Sequence, residues 1–263
     1  MIFSPSPLYD GTIDDLEKEF SAAIDAGLTD GTGKAVVFFR ADDIGVPSRM
    51  FTEMISLFYR YRVPLCLAVV PAWLTKDRLK ALQNDTGNSS LFCWHQHGWT
   101  HTNHESSGKK QEFGESRSAI RLHHDLLRGK KRLANLLGHD FFPVFTPPWN
   151  RCGETTLHLL KELGFRAISR SSGAVPPVST DFVDLQVNID LHTRKEIDPQ
   201  ISAAQLLTEL RHSIQSGTAG IMLHHQRMNT HALVVLEQLL RSLLLFQCIQ
   251  PFHFSDMLNQ PLR

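Results

Sequence analysis

The sequence predicts an α/β fold of seven or eight strands with intervening helices, and three observations carry that prediction. Helical patterns closed by glycine alternate with short apolar runs, which is how strand and helix succeed one another in α/β proteins. Nearly every apolar run ends in polar residues, and α/β folds place their sites at the C-terminal ends of strands. The length of 263 residues suits one barrel domain spanning the chain; periodicity alone leaves a closed barrel and an open doubly wound sheet as equal alternatives.

The elements follow in order. Thr12 and Asp15 resemble a capping box, Leu16, Phe20 and Ile24 recur at helical spacing, and Gly27 fits a helix C-cap. A first strand is expected at 35–40. Pro47 suits the first turn of the next helix, whose Phe51, Met54, Ile55 and Phe58 form one apolar face before a second strand at 64–70. A third strand is expected at 91–95, and after a polar loop Leu122, Leu126, Leu133 and Leu137 mark a helix ended by Gly138. A fourth strand at 143–146 precedes a helix bearing Leu157, Leu160 and Leu163 and closed by Gly164. Further strands are expected within 165–169 and 182–189. Ser202 with Gln205 opens a helix ending at Gly217; strand 219–223, helix 233–246 and a last strand near 250–254 complete the chain. The stretch 104–113, charged and glycine-bearing, is expected to be a lid or a solvated connection.

Composition narrows the function classes. A chain of this size buries roughly three quarters of its unfolded surface on folding, and the 42% hydrophobic content is that of a globular protein. Lysine plus arginine number 27 and aspartate plus glutamate 27, a balance that offers no electrostatic footprint for nucleic acid or an anionic membrane. Cys66, Cys93, Cys152 and Cys248 form no C-x-x-C pair and are expected to be reduced. With no secretory signal pattern and no apolar run of spanning length, a cytoplasmic location is expected.

Four polar clusters follow strands. In Arg40-Ala41-Asp42-Asp43-Ile44-Gly45, adjacent carboxylates beside an apolar strand call for a nearby cation; two aspartates at a helix start fit as well. His95-Gln96-His97-Gly98-Trp99-Thr100-His101-Thr102-Asn103-His104 holds four imidazoles in ten residues. One helical turn would place His97 and His101 on one side, an arrangement that chelates a metal, and His104 has comparable spacing. In Phe145-Thr146-Pro147-Pro148-Trp149-Asn150-Arg151, prolines rigidify a strand exit, Trp149 offers a stacking face and Asn150 and Arg151 offer donors, as in a substrate pocket. Gly220-Ile221-Met222-Leu223-His224-His225-Gln226 ends an apolar strand in paired histidines, one of which could carry a proton.

Asp42-Asp43, His97-x-x-x-His101, Pro147-Pro148-Trp149 and Leu223-His224, in that order, resemble the ordered motifs of the NodB-like polysaccharide deacetylases, carbohydrate esterase family 4. The resemblance spans roughly residues 35 to 225 and is nearest to a bacterial subgroup with His-Gly-Trp-x-His-x-Asn-His and Pro-Pro-Trp-Asn-Arg segments. It implies a distorted (β/α) barrel and a metal-dependent hydrolase that removes an acetyl group from a sugar or related small amide. It further implies a divalent metal, zinc being the expected ion, on Asp43, His97 and His101, with Asp42 as general base and His224 as general acid. Trp149, Asn150, Arg151 and His225 are expected to face substrate. His95, His104 and Asp190 are alternates, and His225 competes with His224 as acid. Thr146 stands where the family carries an arginine that orients the base, and Arg151 or Arg170 is the expected substitute. Asp190-Leu191-His192 is the candidate for the family's later acidic motif.

Two other classes fit parts of the pattern. His95-Gln96-His97 is a His-x-His pair like that of the TIM-barrel amidohydrolases, although here it follows the third strand instead of the first. A silent sugar- or metal-binding barrel is the reading Thr146 favours, since fold does not imply turnover.

Overall fold

The computed structural model describes residues 4–10 and 15–259. Period-two alternation along β1 (Ala35–Ile44) sorts its side chains between two cores. Val37, Phe39 and Ala41 join the larger core under the helices, whereas Phe38 faces an inner core with Cys66, Cys93, Val144, Met222, Phe254 and Met257. Such two-sided burial explains why the strands read as continuous apolar runs.

The remaining strands are β2 (Leu65–Val69), β3 (Phe92–His97), β4 (Phe141–Thr146), β5 (Ala167–Ile168), β6 (Val183–Asp184), β7 (Ile189–Asp190), β8 (Thr218–Leu223) and β9 (Ile249–Pro251). All nine form one sheet in the order β6-β5-β4-β3-β2-β1-β8-β7, with β9 also paired to β1. Every ladder is parallel. No ladder joins β6 to β7 among the described residues, so the sheet curls into a distorted, incompletely closed barrel. The expected strand within 182–189 is two short strands, β6 and β7, which brings the count to nine.

The helices lie outside the sheet. They are α1 (Leu16–Asp30), α2 (Arg49–Tyr61), α3 (Lys76–Thr86), α4 (Ala119–Leu137), α5 (Glu154–Glu162), α6 (Pro199–Gln215), α7 (Thr230–Leu244) and α8 (Phe254–Asn259). Phe51, Met54, Ile55 and Phe58 of α2 are buried as their spacing predicts, each contributing roughly 1.5–3 kcal/mol. Ser48, whose side chain accepts from Phe51 N at 3.1 Å, caps α2, so Pro47 precedes the cap instead of occupying the first turn. Asp198 caps α6 through Gln200 N and Ile201 N; the expected Ser202–Gln205 box therefore lies inside the helix. Thr12 of the expected first capping box lies outside the described residues. α3 was not expected from its pattern, because only Leu79, Leu82 and Thr86 of its residues are buried.

Gly27 does not end α1. A Cβ there would meet Arg211 O at 2.6 Å and Ile214 Cβ at 2.9 Å, so glycine permits α1 to pack closely on α6. Phe254 and Met257 of α8 close the inner core at the end of the barrel where β1 begins. The opposite end, where the strands finish, stays open as a cavity of about 1060 Å³.

Candidate metal and catalytic site

The alternation that faces Phe38 inward also brings Arg40 and Asp42 inward, one strand step apart. On β3 it carries Cys93, His95 and His97 to the same side, and on β8 it carries Met222 inward with His224 next in step. Arg40 pairs with Met222 across β1 and β8. Asp42, His97 and His224 consequently line one cavity at the C-terminal ends of three parallel strands, β1, β3 and β8. His225, one residue out of phase, belongs to the other face. It is 1% exposed, packs edge-on against Phe51 at 5.6 Å and does not line the cavity. The expectation that His225 faces substrate is corrected by that alternation.

Asp43 should by the same logic face away from Asp42. The β1–β2 register prevents this, because Ala41 opposes Leu67 while Ile44 opposes Val69, so β1 carries one extra residue. Asp43 sits at that bulge with φ 62°, and the bulge turns its carboxylate into the cavity beside Asp42. β1 runs to Ile44 instead of ending at residue 40, so the carboxylates belong to the strand and not to a helix start.

Asp43 Oδ1 lies 3.2 Å from His97 Nε2 and 3.2 Å from His101 Nε2. These ligand atoms lie within 4.8 Å of one another and form a group that could hold a metal ion. The anticipated helical turn between the histidines is absent. His97 ends β3, and the chain reaches His101 through Gly98 at φ 57° and His101 itself at φ 59°. His104 is exposed beyond that turn, outside the cluster. His95 is buried behind the cluster, its Nε2 2.9 Å from Thr146 Oγ1 and its ring 4.9 Å from Phe254; burial, then Arg40, pushes its pKa down to about 3. A metal role for His95 or His104 finds no support in this placement.

The donor set fits a divalent cation. His97 Nδ1 donates to the Thr146 carbonyl at 3.0 Å; because a carbonyl only accepts, the Nε2 lone pair is left free for a metal. Asp43 Oδ1 is buried without a properly directed hydrogen bond despite two imidazoles at 3.2 Å, the arrangement expected where a shared ion belongs. Burial opposes ionisation of Asp43, yet the closeness of His97, and then of His224 and His101, holds its carboxyl well below the usual range. The rings of Trp149 and Trp73 lie tilted to that of His101, with centroids 4.5 Å and 5.8 Å away, giving it aromatic walls.

Arg40 supplies the guanidinium that Thr146 does not. Its Nε donates to Asp42 Oδ1 and its Nη2 to Asp42 Oδ2, each at 2.8 Å. Nη1 donates to Ser169 Oγ and Nη2 to Asn150 Oδ1, both at 2.7 Å. Burial raises the Asp42 carboxyl, but Arg40, His97 and His224 outweigh it and hold the pKa below its ordinary value. Neither expected substitute takes this place: Arg170 pairs with Asp184 at 2.8 Å, and Arg151 reaches only the Lys110 carbonyl at 3.5 Å. Asn150 lines the cavity, yet its amide is engaged by Arg40 and by Met222 Sδ. Trp149 and Arg151 line the cavity without such a link to the Arg40–Asp42 pair.

Asp190 does not support His224 directly. Its carboxylate accepts from His192 N at 3.0 Å, Thr193 N at 2.9 Å and the Thr193 hydroxyl, fixing a turn. That turn presents His192 Nδ1 to the backbone N–H of His224 at 3.1 Å. Burial, then His224 and His225, holds His192 neutral.

Sequence reasoning passed over Glu112. Its fully buried carboxylate collects the backbone N–H groups of Trp99, Thr100 and His101. Only its adjacency to an apolar phenylalanine within a charged loop hinted at burial. The 104–113 stretch is irregular apart from an isolated bridge between Phe113 and Cys152, and it contributes Lys110 to the cavity wall.

No family model matches this sequence, and no curated protein matches it. Solved structures do. A Mycobacterium smegmatis protein assigned as a polysaccharide deacetylase superposes with a TM-score of 0.65 at 15% identity, covering 86% of this chain and 90% of the other. The Xyl-CE4 domain of a multidomain xylanase from the hindgut metagenome of Trinervitermes trinervoides gives 0.57 at 14% identity, covering 86% and 90%. PuuE allantoinase gives 0.59 at 12% identity, covering 86% and 89%. The architecture is therefore that of the NodB-like deacetylases, the carbohydrate esterase family 4 fold. Among the described residues no helix is long and apolar enough to cross a membrane.

Proposed function

We propose that this chain is a metal-dependent hydrolase that removes an acetyl group from an N- or O-acetylated sugar or a related small amide. The observation that carries the proposal is the convergence of Asp43, His97 and His101 on one point, with Asp42 and His224 on the same cavity wall. Asp43, His97 and His101 would hold a divalent cation. Two imidazoles and one carboxylate suit zinc and also accept cobalt, nickel, manganese or iron. The bound ion would supply Lewis acidity to the attacking water and the acyl carbonyl.

The remaining steps belong to the protein. Asp42, kept anionic by Arg40, has carboxylate lone pairs beyond the two that Arg40 occupies, and with these it takes a proton from water as the acyl carbon is attacked. His224 gives a proton to the departing nitrogen or oxygen. Trp149 and Arg151 bind the sugar, the first by stacking and the second by donating hydrogen bonds. The cavity of about 1060 Å³ is large enough for a carbohydrate.

Arg40 favours turnover over a silent barrel, because the guanidinium that Thr146 lacks is present on β1. A binuclear amidohydrolase centre is disfavoured, because His95 is committed to Thr146. The test is acetate release by zinc- or cobalt-loaded protein from N-acetyl sugars, simple acetyl esters and small amides. Asp42→Asn is expected to lower kcat by about 10²–10⁴-fold, the range for loss of a general base. Undiminished activity in that variant would remove the assigned base.

A further inference from the structure

His101 is the ligand that needs the most help. It leaves β3 by a glycine turn, it is not in a helix or strand, and its φ of 59° lies in the left-handed region, which disfavours a non-glycine residue. Its position is fixed from behind by Glu112. Oε1 accepts from Thr100 N at 2.7 Å and Thr100 Oγ1 at 2.8 Å, while Oε2 accepts from Trp99 N at 3.1 Å and His101 N at 3.2 Å. Three consecutive backbone N–H groups turned onto one anion form a nest.

The fit is specific to this carboxylate. At 0% exposure Glu112 has only uncharged partners around its oxygens, and all four are donors, which an acceptor-only group satisfies and a glutamine cannot. A Cβ on Gly98 would lie 2.2 Å from Glu112 Oε2 and 2.6 Å from Pro148 Cγ, so glycine is what allows the approach. Glu112 is itself anchored: Arg117 Nη1 donates to its carbonyl at 3.2 Å, and neighbouring Phe113 is fully buried and accepts from Gly153 N at 2.9 Å.

We infer that Glu112 is the positioning residue of the metal centre, holding the backbone of His101 so that its Nε2 meets Asp43 and His97. The inference rests on the reading that those three side chains bind a cation. It assigns the 104–113 stretch a role beyond connection, since that stretch delivers the brace.

The test is zinc affinity by competition against a chelator, together with the visible absorption of the cobalt-loaded protein, for metal-stripped wild type, Glu112→Gln and Asp184→Asn. Asp184 serves as a control because it forms a buried pair with Arg170 outside the ligand set. Glu112→Gln is expected to weaken zinc binding by about 10–100-fold, as loss of a supporting partner does, and to alter the cobalt spectrum. Asp184→Asn is expected to keep both. Should Glu112→Gln fail to fold, Thr100→Val removes one of the four bonds and is expected to weaken zinc about 3–10-fold. Wild-type affinity and spectrum in the folded Glu112 or Thr100 variant, or an equal loss in Asp184→Asn, would overturn the inference. A wild type that binds no zinc would instead defeat the metal reading itself.

Discussion

Arg40 grips Asp42 through both carboxylate oxygens, Nε to Oδ1 and Nη2 to Oδ2 at 2.8 Å, from two residues upstream on the same strand. Both side chains are buried, so water compensates poorly for a lost partner. Breaking such a pair from one side leaves an uncompensated charge and costs about 3–5 kcal/mol. Arg40→Met is expected to destabilise by that amount in urea unfolding. The milder Arg40→Lys cannot reproduce the fork. Because Arg40 lowers the Asp42 pKa, its loss raises that pKa, and the acidic limb of the kcat/KM profile in Arg40→Lys should move to higher pH. An unmoved limb would separate Arg40 from the base.

Thr146 acts through two different atoms. Its hydroxyl meets His95 Nε2 at 2.9 Å, and its carbonyl accepts from His97 Nδ1 at 3.0 Å. Thr146→Val removes only the first and strands a buried imidazole nitrogen, at a cost of about 1–3 kcal/mol. A lower Tm with zinc affinity within a factor of about two is expected, since the backbone contact that orients His97 survives. A large loss of zinc affinity would mean that the side chain supports the ligand as well.

Histidines 101 and 104 separate by position. His101→Ala is expected to abolish high-affinity zinc binding, whereas His104→Ala, at an exposed site off the cluster, should change stability by no more than about 0.5 kcal/mol. Calorimetric titration with zinc checks both, and equal losses would undo the assignment of ligands.

Buried neutral histidines make the fold acid-sensitive. Burial pushes His225 down to about 4 and His95 to about 3, against an ordinary 6.5. Below about 6.5 the unfolded chain takes up protons that the folded His225 refuses until about 4, so stability falls as pH drops through that window. His225 alone contributes on the order of 3 kcal/mol to the fall. Urea unfolding between pH 7 and pH 4 should show that slope, reduced by up to one proton in His225→Leu; an identical slope in the variant would contradict the account.

The candidate site was legible in the sequence wherever a strand ended in polar, chemistry-bearing residues. Asp42, Asp43, His97 and His224 stand at or beside such ends, His101 lies four residues beyond β3, and the cavity gathers them. Alternation from Met222 could have separated His224 from His225, since Phe38, Cys93 and Met222 share the inner core. What could not be read was the bulge at Asp43, which depends on register against β2, and the brace from Glu112, which arrives from an irregular loop 11 residues beyond His101. Arg40 was visible beside the aspartates, but a family pattern with its arginine on another strand drew attention to Arg151 and Arg170. Helix caps were less legible still: Ser48 and Asp198 won over Pro47 and Ser202 because the side chain that reaches the free N–H groups decides the first turn.

The most direct test is a crystal soaked in zinc and measured at the zinc absorption edge. One anomalous peak about 2.0–2.2 Å from an Asp43 carboxylate oxygen, His97 Nε2 and His101 Nε2 is the result the account predicts. A strongest peak elsewhere, with those three side chains left uncoordinated, would contradict it.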